Sequence, residues 1–211
     1  MKAISILFLL TAFCSAPAGQ ESNVASQKQE NSSAPASRKV EPKLAPIVGD
    51  RLEPLVDEDR YEMAKRANLP PLKSKNLSED DIEFRVWASF GKKPLECFVI
   101  SHIDGLWGGV FLEAINRINK PPYRSELRSP KPGWEQLWSK LVDAGLLTLP
   151  DSSQWENGVR IKDGTSYVVE VKQGSVYRTY SYSDPSYQKW KEAKRMLRIA
   201  DLLYKGFGIK R

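Results

Sequence analysis

The sequence feature that most constrains the fold is a group of three short segments, rich in β-branched and aromatic residues, at residues 159–182. They read VRIKDGTSYVVEVKQGSVYRTYSY and are separated by Asp163-Gly164 and by Gln173-Gly174. Asp-Gly between alternating segments is a strong hairpin signal, because a tight primed turn needs a positive φ that these residues tolerate. The pattern therefore predicts an antiparallel meander of three strands.

A second group of strands is predicted upstream of this meander. Residues 82–90 alternate between apolar and polar positions, which is typical of a half-buried strand. Residues 95–102 and 106–116 are predicted to follow as two further strands, joined by the hairpin signal Asp104-Gly105. These segments predict a second antiparallel meander.

Two amphipathic helices are predicted, one between the two groups of strands and one after them. Residues 133–144 place apolar side chains along one stripe at helical spacing, with Pro132 before them and Gly145 after them. Residues 186–204 show an apolar face opposite a face of Lys and Arg. The proline-rich residues 119–132 are interpreted as an irregular loop.

These elements predict the α+β class, with a mostly antiparallel sheet made of two β-meanders and two amphipathic helices packed on one face. The chain contains six tryptophans, whose large rings can fill the space between the helices and the sheet. Residues 77–211 are expected to form this single domain.

The first 18 residues have the pattern of a secretory signal peptide. A positive start at Lys2 precedes an apolar run at residues 4–13 that is too short to span a bilayer. Cleavage after Ala18 is expected. One alternative is a lipoprotein anchored at Cys14, although the bulky Phe13 departs from the usual small residue there. Another is an uncleaved membrane anchor. No later run predicts a transmembrane span.

Residues 19–76 are expected to be a tether between the signal peptide and the domain. Residues 19–40 are rich in Ser, Gln, Asn, Ala and Pro and offer little apolar surface to bury, so disorder is expected. Prolines interrupt residues 41–75. A short helix is possible at residues 57–67, which either docks on the domain or frays.

The composition limits the chemistry that an exported chain of this kind can perform. After signal removal Cys97 is the one remaining cysteine, so no internal disulfide is expected and a buried thiol is the simplest interpretation. His102 is the one histidine, which disfavours the usual zinc ligand sets and His-dependent triads. Neither a cofactor nor a metal site is predicted.

The predicted domain is the basic part of the chain. Residues 19–80 contain 10 Lys and Arg against 11 Asp and Glu, whereas residues 81–211 contain 21 against 15. A basic domain favours anionic partners, including membrane surfaces and acidic polysaccharide, and export makes nucleic acid an unlikely partner.

Tyrosine and arginine side chains near the C-terminus form the candidate binding surface. Exposed Tyr and Arg frequently dominate protein interfaces, and flat rings stack on sugars. The candidate residues are Arg178, Tyr180, Tyr182, Tyr187 and Arg198. The alternative is that the tyrosines pack beneath the helices or pair across strands.

Carboxylates support a catalytic alternative. Glu113, Asp163, Glu170 and Asp184 lie in or beside predicted strands, and a pair of them could act as a glycosidase. Each has a simpler role. Asp163 suits a turn, Asp184 suits a helix cap, and Glu170 is expected on the solvent face of its strand.

Two segments carry a resemblance to known proteins. GWEQLWSKLVDAGLLTLPD and DGTSYVVEVKQGSVYRTYSYSDPSYQKWKEAKRMLRIADLL resemble a group of small exported bacterial proteins without an assigned activity, over roughly residues 82–207. The resemblance implies a bacterial, exported protein and brings no catalytic residues.

The first interpretation of function is a non-catalytic binding domain in the periplasm or outside the cell, with a protein or an anionic or polysaccharide ligand as its partner. A carboxylate-dependent hydrolase acting on cell-envelope glycan and a tethered structural envelope protein remain the alternatives.

Overall fold

The computed structural model describes residues 54–88, 94–114, 120–154 and 164–210. The predicted signal peptide, most of the predicted tether and the first strand of the meander at residues 159–182 lie outside the described residues.

A six-stranded antiparallel sheet forms the centre of the domain. Its strands are β1 (Ile82–Ala88), β2 (Leu95–Ile103), β3 (Leu106–Ala114), β4 (Tyr123–Glu126), β5 (Ser166–Gln173) and β6 (Val176–Ser183). Their order is β4-β3-β2-β1-β5-β6, and each neighbouring pair is antiparallel. The predicted α+β class with a mostly antiparallel sheet is confirmed. The two groups of strands form one sheet, joined through β1 and β5, and the described part of the second group is the hairpin β5–β6.

The turn chemistry of the sequence explains both tight hairpins. Asp104 and Gly105 join β2 to β3 with φ angles of 51° and 76°, the positive values that a primed turn requires. Gly174 between β5 and β6 has a φ of 53°, and a Cβ there would lie 3.2 Å from the Cα of Glu79. Glycine is therefore required at position 174 by both conformation and space.

Strand β4 was not predicted from the sequence. Residues 119–132 were expected to form an irregular loop, but Tyr123–Glu126 pairs with β3, with Val110 opposite Glu126. The segment YRSE has no apolar alternation, so it carries no strand signal of its own. Pairing with the exposed edge of β3 imposes the strand conformation, which is why local preference did not reveal it.

Three α-helices accompany the sheet. They are α1 (Pro54–Arg66), α2 (Trp134–Ala144) and α3 (Lys191–Phe207), with short 3₁₀ turns at Leu72–Ser74, Ser152–Gln154 and Pro185–Tyr187. None of the helices in the described part of the chain has the length and apolar character needed to cross a membrane.

The two helices that the apolar stripes predicted are present. Helix α2 ends where Gly145 adopts a φ of 101° and its N–H bonds the carbonyls of Leu141 and Val142, as a left-handed C-cap does. Helix α3 begins at Lys191, later than predicted, because Asp184 adopts a φ of 49° and Pro185–Tyr187 forms a 3₁₀ turn. The side chain of Asp184 makes no capping hydrogen bond there, so the expected cap is wrong.

Helices α2 and α3 cover one face of the sheet, which we call the first face, and enclose the main apolar core. Phe98 of β2 lies near its centre. Its ring centroid is 4.9 Å from that of Phe111 and 5.1 Å from that of Tyr204. The predicted packing of both amphipathic helices against one face is confirmed.

The opposite face, which we call the second face, is also covered. Helix α1 buries Met63 completely against it, together with Trp87, Cys97 and Val168. All seven residues of β1 are buried, so the expected half-buried strand is wrong. The short helix predicted at residues 57–67 docks, and the described folded part begins at Pro54 rather than near residue 77.

Candidate functional site

Three of the predicted binding residues lie in the core. Arg178 is 2% exposed, and Tyr180 and Tyr182 are 0% exposed. Their alternate positions on β6 direct them to the first face, where the segment that follows α2 covers them. Tyr180 Oη donates to the carbonyl of Leu146 at 2.9 Å, and Tyr182 Oη donates to that of Pro150 at 2.8 Å. The expectation that these three residues form an exposed surface is therefore wrong.

Arg178 is bound by backbone alone. Its Nη1 and Nη2 donate to the carbonyls of Leu147 and Leu149, and its guanidinium lies 4.9 Å from the centre of the Tyr180 ring. Burial lowers the pKa of Arg178. The side chain fastens the connection after α2 to β6, which is a structural role.

Tyr187 and Arg198, the other two predicted binding residues, are exposed. Tyr187 lies in a 3₁₀ turn and Arg198 on the outer side of α3. The residues expected to connect them into one surface are buried, so the predicted continuous patch is not formed.

The candidate carboxylates that the structure describes do not converge on one site, as the catalytic alternative would require. Asp163 lies outside the described residues. Glu113 is the cross-strand partner of Glu96, which accepts a hydrogen bond from Tyr204 Oη on the first face. Glu170 was expected in solvent, but it is 6% exposed and lies beneath α1 on the second face.

A cavity of about 550 Å³ lies between α1 and the second face. We call it the second-face cavity. Its floor consists of Arg85 and Trp87 from β1 and Glu170 from β5, all of them buried. Its walls come from α1 and from the chain that follows it. They are lined by Arg60, Tyr61, Ala64, Lys65, Asn68, Leu69, Pro70 and Pro71.

Glu170 is held in the floor by three donors. Arg60 Nη1 lies 2.9 Å from Oε1, Tyr177 Oη donates to the same oxygen at 2.9 Å, and Trp87 Nε1 donates to Oε2 at 2.8 Å. Burial, followed by the charge on Glu170, raises the pKa of Tyr177 well above its usual range. The phenol therefore stays protonated and remains a donor to the carboxylate.

Glu83, two residues before Arg85 on the same strand face, is the second buried carboxylate. Its Oε1 accepts from Arg85 Nε at 3.0 Å and from Nη2 at 2.8 Å, and its Oε2 accepts from Lys75 Nζ. Both oxygens of Glu83 and both of Glu170 thus accept hydrogen bonds. Such fully engaged carboxylates orient the side chains that donate to them.

One nitrogen atom of the cavity floor carries N–H groups that make no hydrogen bond to the described residues. Among the described residues, Nη1 of Arg85 has no hydrogen-bond partner, although its side chain is only 2% exposed. Nη1 is not one of the fully enclosed atoms that lack a partner, whereas Nε of Arg178 is. Nη1 of Arg85 is therefore not fully enclosed, and Arg85 lines the second-face cavity.

A smaller cavity of about 250 Å³ adjoins the first and shares Leu69, Pro70 and Arg85 with it. Gly108 of β3 lies on its far side, and a Cβ added there would meet nothing within 4 Å. The segment after α1 thus crosses the second face as a ridge, with Arg85 beneath it and a cavity on either side.

An aromatic cluster on the first face is a weaker candidate. It comprises His102, Trp107, Trp134, Trp138 and Phe207. The indoles of Trp107 and Trp134 stack with centroids 5.8 Å apart and an interplanar angle of 4°. His102, the one histidine that a His-dependent triad could use, packs its ring on Trp107 with centroids 4.6 Å apart. Because these rings pack on one another, the cluster extends the core.

Burial accounts for Cys97 as the sequence predicted. Its side chain is free and fully buried on the second face, and burial raises the pKa of its thiol well above the ordinary value. Within the described ranges, His, Cys, Asp and Glu side chains do not gather in groups of three or more that could hold a metal ion.

Sequence reasoning missed the second-face cavity, although a signal was present. Glu83, Arg85 and Trp87 alternate along one face of β1, and Glu170 and Lys172 alternate along one face of β5. The pattern indicated shared faces, which were interpreted as solvated. The apolar residues of α1 are too few to predict that this helix covers them.

No protein-family model matches this chain, and neither does any curated protein. The functional assignment therefore rests on the geometry of the second face.

Proposed function

We propose that this chain is an exported, non-catalytic binding domain whose site is the second-face cavity. The supporting observation is a partly unsatisfied buried arginine, Arg85, in the floor of a cavity of about 550 Å³. Small-molecule sites typically have volumes of about 300–1,000 Å³, with apolar walls and a few polar groups. The second-face cavity has that size and that combination of side chains.

Its ionic floor supports a binding role. Buried ion pairs contribute little net stability relative to apolar side chains of the same size, because both charges lose their hydration. Glu83, Arg85, Arg60 and Glu170 nevertheless occupy the centre of the second face. Burial of this kind is common where a ligand must meet a pre-oriented charge.

Catalysis by carboxylates has less support at this site. A glycosidase needs one carboxyl group that donates a proton and a second that acts as nucleophile or base. The oxygens of Glu83 and Glu170 are occupied by Arg, Lys, Trp and Tyr donors. The pair is suited to holding cationic side chains in place.

The proposed location outside the cytoplasm is supported by the signal-peptide pattern of residues 1–18 and by the resemblance to small exported bacterial proteins. The basic charge of residues 81–211 supports an anionic ligand.

A neutral fluorescent probe tests whether the cavity binds ligands. N-phenyl-1-naphthylamine fluoresces strongly when it leaves water for an apolar site, so its titration into the full chain reports binding. Ala64 lines the cavity from α1, and Ala64→Phe should fill the space and weaken probe binding at least about tenfold, which corresponds to about 1.4 kcal/mol.

Glu62→Phe is the matched control, because Glu62 is an exposed residue of the same helix outside the cavity lining. It should leave probe binding unchanged. Failure of the unmodified chain to bind the probe, or equal weakening by both variants, would contradict the proposed site. The first result would instead favour a tethered structural role.

A further inference from the structure

The ionic layer of the second face consists of two buried carboxylates and the cationic side chains around them. The carboxylates are Glu83 and Glu170, the buried cations are Arg85 and Lys172, and the partly exposed Arg60 and Lys75 also bind the carboxylates. Lys172 Nζ donates to the backbone carbonyl of Lys73 at 2.6 Å and pairs with no carboxylate in the described part of the chain. Arg60, Lys75 and Arg85 thus outnumber the two carboxylates that they contact, which favours an anionic ligand.

Arg85 is the cation that is placed to receive it. Glu83 Oε1 accepts from both Nε and Nη2 of Arg85, which fixes the plane of the guanidinium. Nη1, with no partner among the described residues, then presents its N–H groups in a fixed direction. Charge-assisted hydrogen bonds from a pre-oriented guanidinium are strong, because little side-chain entropy remains to be lost.

The remaining lining selects an apolar body. Ala64, Leu69, Pro70 and Pro71 offer aliphatic surface, and Trp87 forms part of the floor. Trp87 cannot turn, because its Nε1 bonds Glu170 at 2.8 Å. The exposed ring of Tyr61 and the two proline rings favour flat hydrophobic groups.

We propose that the ligand of the second-face cavity is a small aromatic molecule with one negative charge, and that its anionic group binds Nη1 of Arg85. This inference rests on the proposed function, because it specifies what the same cavity binds. A free aromatic acid and a short peptide that ends in an aromatic residue both carry this chemistry.

Two closely related probes isolate the charge. 8-Anilinonaphthalene-1-sulfonate has the ring system of N-phenyl-1-naphthylamine with an added sulfonate. The anionic probe should bind the full chain at least about tenfold more tightly than the neutral one, as a charge-assisted hydrogen bond predicts. Arg85→Met should abolish that difference.

Arg198→Met is the matched control, since Arg198 is an exposed arginine on α3 outside the cavity lining. It should retain the preference for the anionic probe. Circular dichroism would show whether each variant is folded.

Competition in the unmodified chain keeps the test independent of any variant's folding. Naphthoate should displace the anionic probe at concentrations at least about tenfold lower than naphthamide, which has the same rings and no charge. Displacement by the tripeptide Ala-Ala-Phe with a free C-terminal carboxylate is compared with displacement by its C-terminal amide. Stronger displacement by the free acid would show that the C-terminus of a peptide can also bind.

These experiments distinguish failure of the proposed anionic ligand from failure of the proposed binding site. If both probes bind with equal affinity and Ala64→Phe blocks both, the proposed anionic ligand is wrong, but the proposed binding site is supported. An unchanged preference in folded Arg85→Met would also overturn it. Binding of neither probe would overturn the site itself.

Discussion

Arg178 and Arg85 are equally buried, each 2% exposed, but they lie on opposite faces of the same sheet. Arg178, on the first face, donates to two backbone carbonyls, and its Nε is enclosed without a partner. Arg85, on the second face, is paired with Glu83 and keeps its Nη1 at a cavity. A buried arginine can therefore be closed into the fold or left open to a ligand.

The difference reflects what covers each face. On the first face two amphipathic helices and the segment after α2 exclude water around an apolar core. On the second face one short helix covers part of an ionic layer, and Met63 is its one fully buried side chain among those described. The first face holds the larger buried apolar cluster, and the second face carries the proposed site.

The largest effect is expected on the first face, at Tyr182, which is fully buried. Tyr182→Ala should destabilise the domain by about 3–5 kcal/mol, because it leaves a large hole and removes the hydrogen bond to the carbonyl of Pro150. Urea denaturation followed by circular dichroism measures the change. A folded variant of unchanged stability would contradict the burial of Tyr182 in the core.

A smaller loss is expected for the anchor of α1 on the second face. Met63→Ala should cost about 2–3 kcal/mol, with the effect concentrated in α1 because the sheet keeps its first-face core. Hydrogen exchange should show faster exchange for the amides of Pro54–Arg66 and unchanged protection in β1 and β2. Uniform loss of protection would mean that both faces unfold as one unit.

These two variants also show how far the sequence predicts the fold. Strand periodicity and turn residues predict which side chains share a face, and the stripes of α2 and α3 predict their packing. Periodicity does not state whether a face carrying Glu170 or Tyr182 is covered. Coverage depends on α1 and on the segment after α2, and α1 has too few apolar residues for its docking to be read from its own sequence. The cavity at Arg85 is a product of that docking.

The ionic layer of the second face should respond to charge more than to shape. Glu83→Gln should cost about 1–2 kcal/mol, because Arg85 and Lys75 lose their shared carboxylate. Addition of Arg85→Met should recover part of that loss, since replacing a whole buried ion pair by apolar groups is often neutral. A double-mutant cycle by chemical denaturation measures the coupling. A double variant less stable than Glu83→Gln would contradict this account.

The smallest effect is expected at the exposed residues of the predicted patch. Tyr187→Ala and Arg198→Ala should each change stability by less than about 0.5 kcal/mol, as surface substitutions usually do. Neither should alter binding of the anionic probe. Thermal unfolding with and without the probe checks both statements, and a probe-dependent difference would move the binding site towards α3.

Nuclear magnetic resonance of the arginine side chains tests the central claim most directly, because it observes both buried guanidinium groups in the unmodified chain. Titration with naphthoate should shift the Arg85 guanidinium signals in a saturable way and leave those of Arg178 in place. Unchanged Arg85 signals at saturating naphthoate, or shifts confined to arginines outside the second-face cavity, would contradict the account.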